Sequence, residues 1–173
     1  SRSRADENPV FEKITQSVVR LCNAAMGYIT MLNPTRTHVT IPAQFGARPE
    51  FAERLARFNV PVEETWIMAV DAALNRRVIR IEDLAQDPLY QEGNEYRAAM
   101  VDEEGMRSVL VVPLVSGELG LGCIFLYRRE VQPFSDREVD VVRAFAAEAV
   151  IAIQNERQFK GRGTLNAELG ERL

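Results

Sequence analysis

Two long apolar segments joined by a tight polar turn constrain the fold of this chain more than any other feature. The first covers residues 108–115 and the second 119–128, with Ser116-Gly117 between them. This pattern predicts an antiparallel hairpin. Apolar residues occupy successive positions instead of alternating with polar ones, so both faces of the resulting sheet must be covered. The rest of the chain therefore has to supply a layer for each face.

The segment after this hairpin supplies one covering element. Ser135 and Glu138 have the spacing of a capping box, and Phe134 with Val139 has that of a hydrophobic staple. Apolar residues then recur every three or four positions. This period predicts one long helix that reaches about Lys160.

The N-terminal segment predicts a second helix for the same face. Asn8-Pro9 is typical of a helix start, and an apolar face follows as far as Ala25. The glycines at 161–163 are expected to end the last helix, because a glycine inside a helix costs about 1 kcal/mol relative to alanine. We therefore divide the chain into a disordered or cloning-derived N-terminus at 1–8, a domain at 9–160, and a C-terminal linker or start of a signalling helix at 161–173.

The middle of the chain predicts further strands and short helices. A second hairpin turns at residues 33–36, and the stretch 85–105 is polar and irregular. The order of elements predicts an α+β domain with an antiparallel sheet of about five strands. The predicted strands are 28–32, 37–41 and 78–81, and the predicted helices are about 50–58, 63–75 and 94–104.

Composition narrows the function classes. The chain has 21 basic and 25 acidic residues, a net charge of −4, which offers no electrostatic footprint for nucleic acid. It shows no apolar membrane span and no signal peptide, so we expect a cytoplasmic protein without a membrane partner. A single histidine, His38, and two cysteines, Cys22 and Cys123, leave little for a metal site, a His-based triad or a disulfide framework. We predict no catalytic residue, no metal and no cofactor.

Several segments together resemble the GAF domain family. The resemblance covers residues 9–160 and implies a profilin-like or PAS-like fold. In that fold, a five- or six-stranded antiparallel sheet is sandwiched between the N- and C-terminal helices and a loop/helix layer. The segments that carry the resemblance are RSVLVVPLV at 107–115, GELGLGCIFL at 117–126, FSDREVDVVRAFAAEAVIAI at 134–153, VIRIEDL at 78–84, DPLY at 87–90 and PVFEKI at 9–14.

The resemblance also implies a function. Such domains are regulatory sensors of bacterial signalling proteins, often histidine kinases. Their loop layer commonly encloses a small molecule, and their end helices commonly form a homodimer that passes the signal to an output domain. The Asn-Lys-Phe-Asp-Glu motif of cyclic-nucleotide-binding members is absent here, and the resemblance names no ligand. A ligand-free dimerisation module and a GAF-like small-molecule enzyme stay open as alternatives.

In such a fold we expect the pocket on the sheet face opposite the end helices, closed by residues 63–75 and 85–105. Apolar walls with polar aromatic tips suit a small planar or amphipathic ligand. The alternative is that the same side chains simply fill the core. The candidate pocket residues are Tyr28, Thr30, Trp66, Met68, Tyr90, Tyr96, Met100 and Met106.

The end helices carry the expected dimer interface. On the last helix, apolar residues extend beyond the stripe that one sheet face needs, which indicates a partner helix. The alternative is a single broad apolar face packed on the sheet. The candidate interface residues are Phe11, Val18, Val141, Ala144 and Ala152.

Overall fold

A computed structural model describes the backbone of residues 2–172 and the side chains of residues 9–157. It contains one six-stranded sheet in which every neighbouring pair is antiparallel. The spatial order is β3-β2-β1-β6-β5-β4, so the predicted hairpin β5–β6 lies inside the sheet. The strands are β1 (Met26–Leu32), β2 (His38–Phe45), β3 (Asn59–Pro61), β4 (Ile79–Ile81), β5 (Ser108–Ser116) and β6 (Leu119–Arg128).

Helices cover both faces, which confirms the predicted α+β sandwich. Among the described residues, none of these helices combines the length and the apolar character needed to cross a membrane. A short 3-10 turn, Leu84–Gln86, precedes α4, and α5 continues as a π-helical turn, Ala99–Glu103. The helices are α1 (Arg2–Leu21), α2 (Pro49–Ala56), α3 (Met68–Asn75), α4 (Pro88–Gln91), α5 (Glu95–Ala98) and α6 (Asp136–Arg172).

Side chains on β6 alternate between two separate cores. Ile124 and Leu126 point to α1 and α6, which we call the helical layer. Phe125 and Tyr127 point to the opposite face. That face is covered by residues 63–75 and 84–105, which we call the loop layer.

The start of α6 confirms the predicted capping box. The Ser135 amide donates to the Glu138 carboxylate at 2.9 Å, and the Glu138 amide donates to Ser135 Oγ at 3.1 Å. Phe134 and Val139 are both buried, as a hydrophobic staple requires. These contacts are local, so the sequence pattern was sufficient to predict them.

Both long helices extend beyond their predicted ends. The backbone of α1 is helical from Arg2, with Pro9 inside the helix, and α6 passes through the glycines at 161–163 to Arg172. A proline early in a helix removes one backbone hydrogen bond, and an interior glycine costs about 1 kcal/mol. Neither penalty is enough to end these helices. The side chains of residues 1–8 and 158–173 lie outside the described part, so the domain limits stay predictions.

Two predictions for the middle of the chain are wrong. The helix predicted at 63–75 begins only at Met68, because the residues before it form turns. The turns are closed by backbone hydrogen bonds from Glu64 to Pro61, from Thr65 to Glu63 and from Ile67 to Glu64. The edge strand β3 was not predicted, because its three residues show no apolar alternation.

Candidate functional site

The sheet side of the loop layer brings most of the predicted pocket residues together. Tyr28 stacks on Phe125 with ring centroids 4.6 Å apart and planes 10° apart. Met68, Met100 and Met106 are buried in the same core. Gly120 allows α3 to approach β6, because a Cβ there would overlap the carbonyl oxygen of Ala73. Tight packing of α3 on the sheet thus holds one side of the candidate site.

The other side of the site is formed by α5, whose start depends on one cap. The Asn94 side chain accepts a hydrogen bond from the Arg97 amide at 3.0 Å. This cap directs Arg97 and Met100 inward, one helical turn apart, and Arg97 is only 3% exposed. A buried guanidinium therefore lies among aromatic and thioether side chains.

Three neighbours hold the Arg97 guanidinium. Its Nε donates to Asp87 Oδ2 at 3.1 Å, and its Nη2 donates to the Trp66 carbonyl oxygen at 3.2 Å. Among the side chains that the structure describes, its Nη1 contacts only the Met100 sulfur, at 3.9 Å. The guanidinium also lies 5.9 Å from the centre of the Trp66 ring. We did not predict Arg97 as a site residue, although its place between Tyr96 and Met100 on a short helix was a usable signal.

Aromatic rings form the outer boundary of the site. Trp66 lies edge-on to Tyr96 with ring centroids 5.6 Å apart, and Phe58 lies 6.1 Å from Tyr96. Trp66 is 37% exposed, and its indole N–H donates to Glu64 Oε2 at 2.6 Å. Burial raises the pKa of Tyr96 well above its usual range. Trp66 therefore forms the solvent-facing edge of the site, with Arg97 beneath it.

A second buried charge lies at the end of the π-helical turn. Glu104 is almost fully buried and accepts hydrogen bonds from the Tyr127 hydroxyl and from Arg129 Nη2, the latter at 2.7 Å. Burial and this carboxylate raise the pKa of Tyr127 well above its usual range. Sequence reasoning missed this pair, because three adjacent acidic residues at 102–104 are typical of a solvated helix end.

Thr30 and Tyr90 differ from the other predicted pocket residues. Thr30 faces the loop layer, but its hydroxyl is taken up by Cys123, with 2.8 Å to Sγ and 3.1 Å to the backbone N–H. The Tyr90 hydroxyl donates to Asp102 Oδ1 at 2.7 Å, near the surface of the layer. One buried core contains Tyr28, Met68, Met100 and Met106, and Tyr96 packs against it. Trp66 contacts both the Tyr96 ring and the Arg97 guanidinium. The Thr30 and Tyr90 hydroxyls are bonded elsewhere.

A surface cleft of about 420 Å³ lies beside the loop layer and includes none of the predicted residues. Asp83 is held by Arg107 at 2.8 Å, and this hydrogen-bonded ion pair keeps the pKa of Asp83 below its usual value. Asp87 is held by Arg97. Within the described residues no group of three or more His, Cys, Asp or Glu side chains is arranged to hold a metal ion. The cleft is lined by Ile81, Glu82, Asp83, Gln86, Asp87 and Val131.

The predicted interface residues of the helical layer differ in how far they are exposed to solvent. Phe11 and Val18 are fully buried against the sheet and offer no surface to a second chain. Val141 and Ala152 are partly buried, and Ala144 is exposed. Periodicity identified the apolar faces of both helices correctly but did not separate their inner from their outer positions.

The architecture defines a class: a sensor-type α+β domain, with a sheet between paired terminal helices and a layer of short helices and turns. A comparison with known families matches residues 4–154 to the GAF domain. This chain belongs to the GAF domain family. It is thus a sensory domain of the kind found in signalling proteins, where GAF domains regulate other domains.

Solved structures of low sequence identity share the fold. The GAF domain/HD domain protein from Geobacter sulfurreducens is 16% identical with a TM-score of 0.74, over 90% of this chain and 96% of that one. The second GAF domain of DevS from Mycobacterium smegmatis is 19% identical with a TM-score of 0.66, over 89% and 97%. Residues 122 to 287 of a methyl-accepting chemotaxis protein are 20% identical with a TM-score of 0.73, over 90% and 93%. No curated protein sequence matches the chain.

Proposed function

We propose that this chain is the regulatory sensor domain of a cytoplasmic bacterial signalling protein and controls an output domain such as a histidine kinase. Two copies pair through the outer faces of α1 and α6, and the loop layer binds a small molecule. The observation that carries this proposal is an exposed apolar stripe on the same two helices whose inner faces cover the sheet.

This outer stripe has exposed apolar residues on both helices. Leu21 is 66% exposed and Ile151 is 57% exposed, the two highest values among large apolar side chains in residues 9–157. Neighbouring stripe positions are small, so a second helix is able to approach closely. Exposed apolar surface of this kind favours association. The stripe comprises Val10 and Leu21 on α1, and Ala144, Ala147 and Ile151 on α6.

The pairing is tested by the molar mass of the chain as a function of concentration, from sedimentation equilibrium or light scattering. We expect a dimer, and we expect Ile151→Glu to weaken the dimer by at least about tenfold, because a buried charge at a central contact costs well over 1 kcal/mol. Val131→Glu is the matched control, since Val131 is an exposed apolar residue that precedes α6 and lines the surface cleft instead of the stripe. A wild-type monomer at high concentration, or equal weakening by both variants, contradicts the pairing.

Small-molecule binding is supported by the composition of the loop layer core. The buried core of this layer contains three of the predicted methionines, and the Arg97 guanidinium contacts Met100 and the Trp66 ring. Thioether side chains adapt to different neighbours more readily than branched aliphatic ones. Such a core can open around a ligand with little strain.

A ligand-free interaction module is the second candidate. The close stacking of Tyr28 on Phe125 and the burial of Met106 favour it, because these side chains already fill space between the sheet and the short helices. Native mass spectrometry of the chain purified from its source distinguishes the two candidates. A retained small molecule supports the sensor, and a bare chain under conditions that preserve the dimer supports the interaction module.

We propose no catalytic role for this chain, against the third possibility of a GAF-like enzyme. Burial raises the pKa of the Cys22 thiol to about 11 and that of Cys123 to about 12. Neither cysteine is therefore ionised enough at neutral pH to act as a nucleophile. Two buried free thiols also fit the reducing cytoplasm.

A further inference from the structure

The loop layer contains buried polar groups whose hydrogen bonds are incomplete. Within the described residues, the only partner of Arg97 Nη1 is the Met100 sulfur, a weak acceptor 3.9 Å away. Its Nε and Nη2 meet oxygen atoms of Asp87 and Trp66. Nη1 therefore has no oxygen acceptor in this part of the chain, although buried donors in folded proteins almost always have one.

Two tyrosine hydroxyls add to this deficit. In residues 9–157, neither the Tyr28 hydroxyl nor the Tyr96 hydroxyl has a hydrogen-bond partner, although Tyr28 is buried and Tyr96 largely so. Burial raises the pKa of Tyr28 well above its usual range, Tyr96 raises it further, and Arg97 opposes this effect. The three groups share neighbours: the Trp66 ring lies 5.6 Å from the Tyr96 ring and 5.9 Å from the Arg97 guanidinium, and Tyr28 lies in the same buried core as Met100, which contacts Arg97. They form one cluster of unsatisfied groups instead of scattered defects.

We propose that this cluster recognises a small planar carboxylate, with Arg97 Nη1 and the Tyr28 and Tyr96 hydroxyls donating to its oxygens. The inference rests on the proposed sensor function and names the ligand class for it. A carboxylate supplies two acceptor oxygens in one plane, the group that a guanidinium binds most strongly.

The surroundings of the cluster specify the rest of the ligand. The Trp66 ring is 37% exposed and presents a flat apolar surface beside the cluster. An aromatic body packs on such surfaces, and the side chains of Met68 and Met100 can move to admit it. A cationic ligand of the same shape meets repulsion from Arg97, and a neutral amide loses the charge-assisted hydrogen bonds.

The test uses the full chain and three probes of one shape: benzoate, benzamide and benzylamine. Trp66 is the only tryptophan, so its fluorescence reports directly on the cluster. We expect benzoate to give a saturable change in the millimolar range, and its affinity to exceed that of benzamide by about tenfold or more. Benzylamine is expected to give no saturable change. Amide chemical shifts measured by NMR at 94–100 check that binding occurs at α5.

Variants connect binding to the named atoms. Arg97→Gln removes the guanidinium and is expected to weaken benzoate binding by about tenfold or more, since charged hydrogen bonds contribute most. Tyr28→Phe keeps the ring stack on Phe125 and removes only the hydroxyl, and a smaller loss of about threefold to tenfold is expected. It serves as the second test if Arg97→Gln fails to fold. Arg107→Gln is the matched control, because it removes another arginine–aspartate pair and none of the cluster's own groups.

Three results overturn the proposal: no saturable change with benzoate, equal affinity for benzamide, or unchanged binding in Tyr28→Phe and Arg97→Gln. Each of them means that the unsatisfied groups bind water or another chemical class. These results are separate from a failure of the sensor function. A retained, uncharged molecule in native mass spectrometry contradicts the carboxylate but supports the sensor, and a bare chain that binds none of the probes contradicts both.

Discussion

The two faces of the sheet are built from different kinds of side chain. The core under the helical layer consists of aliphatic residues, phenylalanines and Cys22, and its buried members include no methionine and no tyrosine. The core under the loop layer holds four buried methionines and both buried tyrosines, and Arg97 and Glu104 lie buried on the same side. Stiff branched side chains specify one packing, whereas methionines tolerate several. One face is therefore suited to hold a shape, and the other to change it around a ligand.

Polar groups show the same contrast. Arg128, at the end of β6, is buried and binds the carbonyl oxygens of Cys22 and Gln132 and the carboxylate of Glu138. It thereby ties the end of α1 to the start of α6 and uses most of its donors. Arg97, in the loop layer, leaves Nη1 with only a sulfur contact. A complete network fixes geometry, whereas an incomplete one leaves a group free to bind something else.

Truncating the helical core gives the largest expected effect. Phe11→Ala is expected to lower the free energy of unfolding by about 3–5 kcal/mol, because it leaves a cavity among stiff neighbours that collapse poorly. Chemical denaturation measures the loss, with Val131→Ala at an exposed apolar position outside the helices as control. A loss below about 1 kcal/mol for Phe11→Ala means that this face adapts as readily as the other, and the contrast between the faces fails.

The dependence of unfolding free energy on pH tests how much the Arg128 network relies on the charge of Glu138. Burial raises the pKa of Glu138, but hydrogen bonds from Ser135 and the Arg128 guanidinium outweigh burial, and the pKa lies below its ordinary value of 4.5. A carboxyl with a lowered pKa stabilises the fold fully above its unfolded pKa, and this contribution is lost as pH falls through the folded pKa.

Glu138→Gln is therefore expected to lower the free energy of unfolding by about 1–2 kcal/mol at neutral pH and by less in acid, where the wild-type and variant curves converge. Denaturation curves recorded from neutral pH down to about pH 3 measure this difference. Glu148→Gln changes an exposed carboxylate on the same helix and serves as control. If the difference in unfolding free energy between wild type and Glu138→Gln stays constant across that pH range, the contacts of Arg128 stabilise the fold equally whether or not Glu138 is charged.

The structure shows which features the sequence was able to predict. Local patterns succeeded: the capping box at Ser135, the hairpin β5–β6 and the two covered faces all depend on residues close together in the chain. Arg97 was missed because its burial depends on partners 10 and 31 positions away, Asp87 and the Trp66 carbonyl. A charged residue on a four-residue helix is usually solvated, and only the tertiary fold makes this one part of a core.

The smallest expected effect compares two helix caps of the same chemistry. Ser135→Ala and Asn94→Ala each remove the side chain that accepts the first backbone hydrogen bond of a helix, α6 and α5 respectively. Each is expected to cost about 1 kcal/mol of unfolding free energy. The positions differ in what the cap holds. Ser135 starts a long helix fixed by many apolar contacts, whereas Asn94 starts a short one that positions Arg97.

Trp66 emission separates the two cap variants. Loss of the Asn94 cap is expected to displace the Arg97 guanidinium, which bonds to the Trp66 carbonyl and lies over its ring, so the emission maximum or intensity changes. Loss of the Ser135 cap acts on the opposite face and is expected to leave the emission unchanged. If both variants leave the emission unchanged, other contacts hold Arg97 in place without its helix cap. The loop layer is then as rigid as the helical layer, and a ligand cannot move Arg97 by unwinding the first turn of α5.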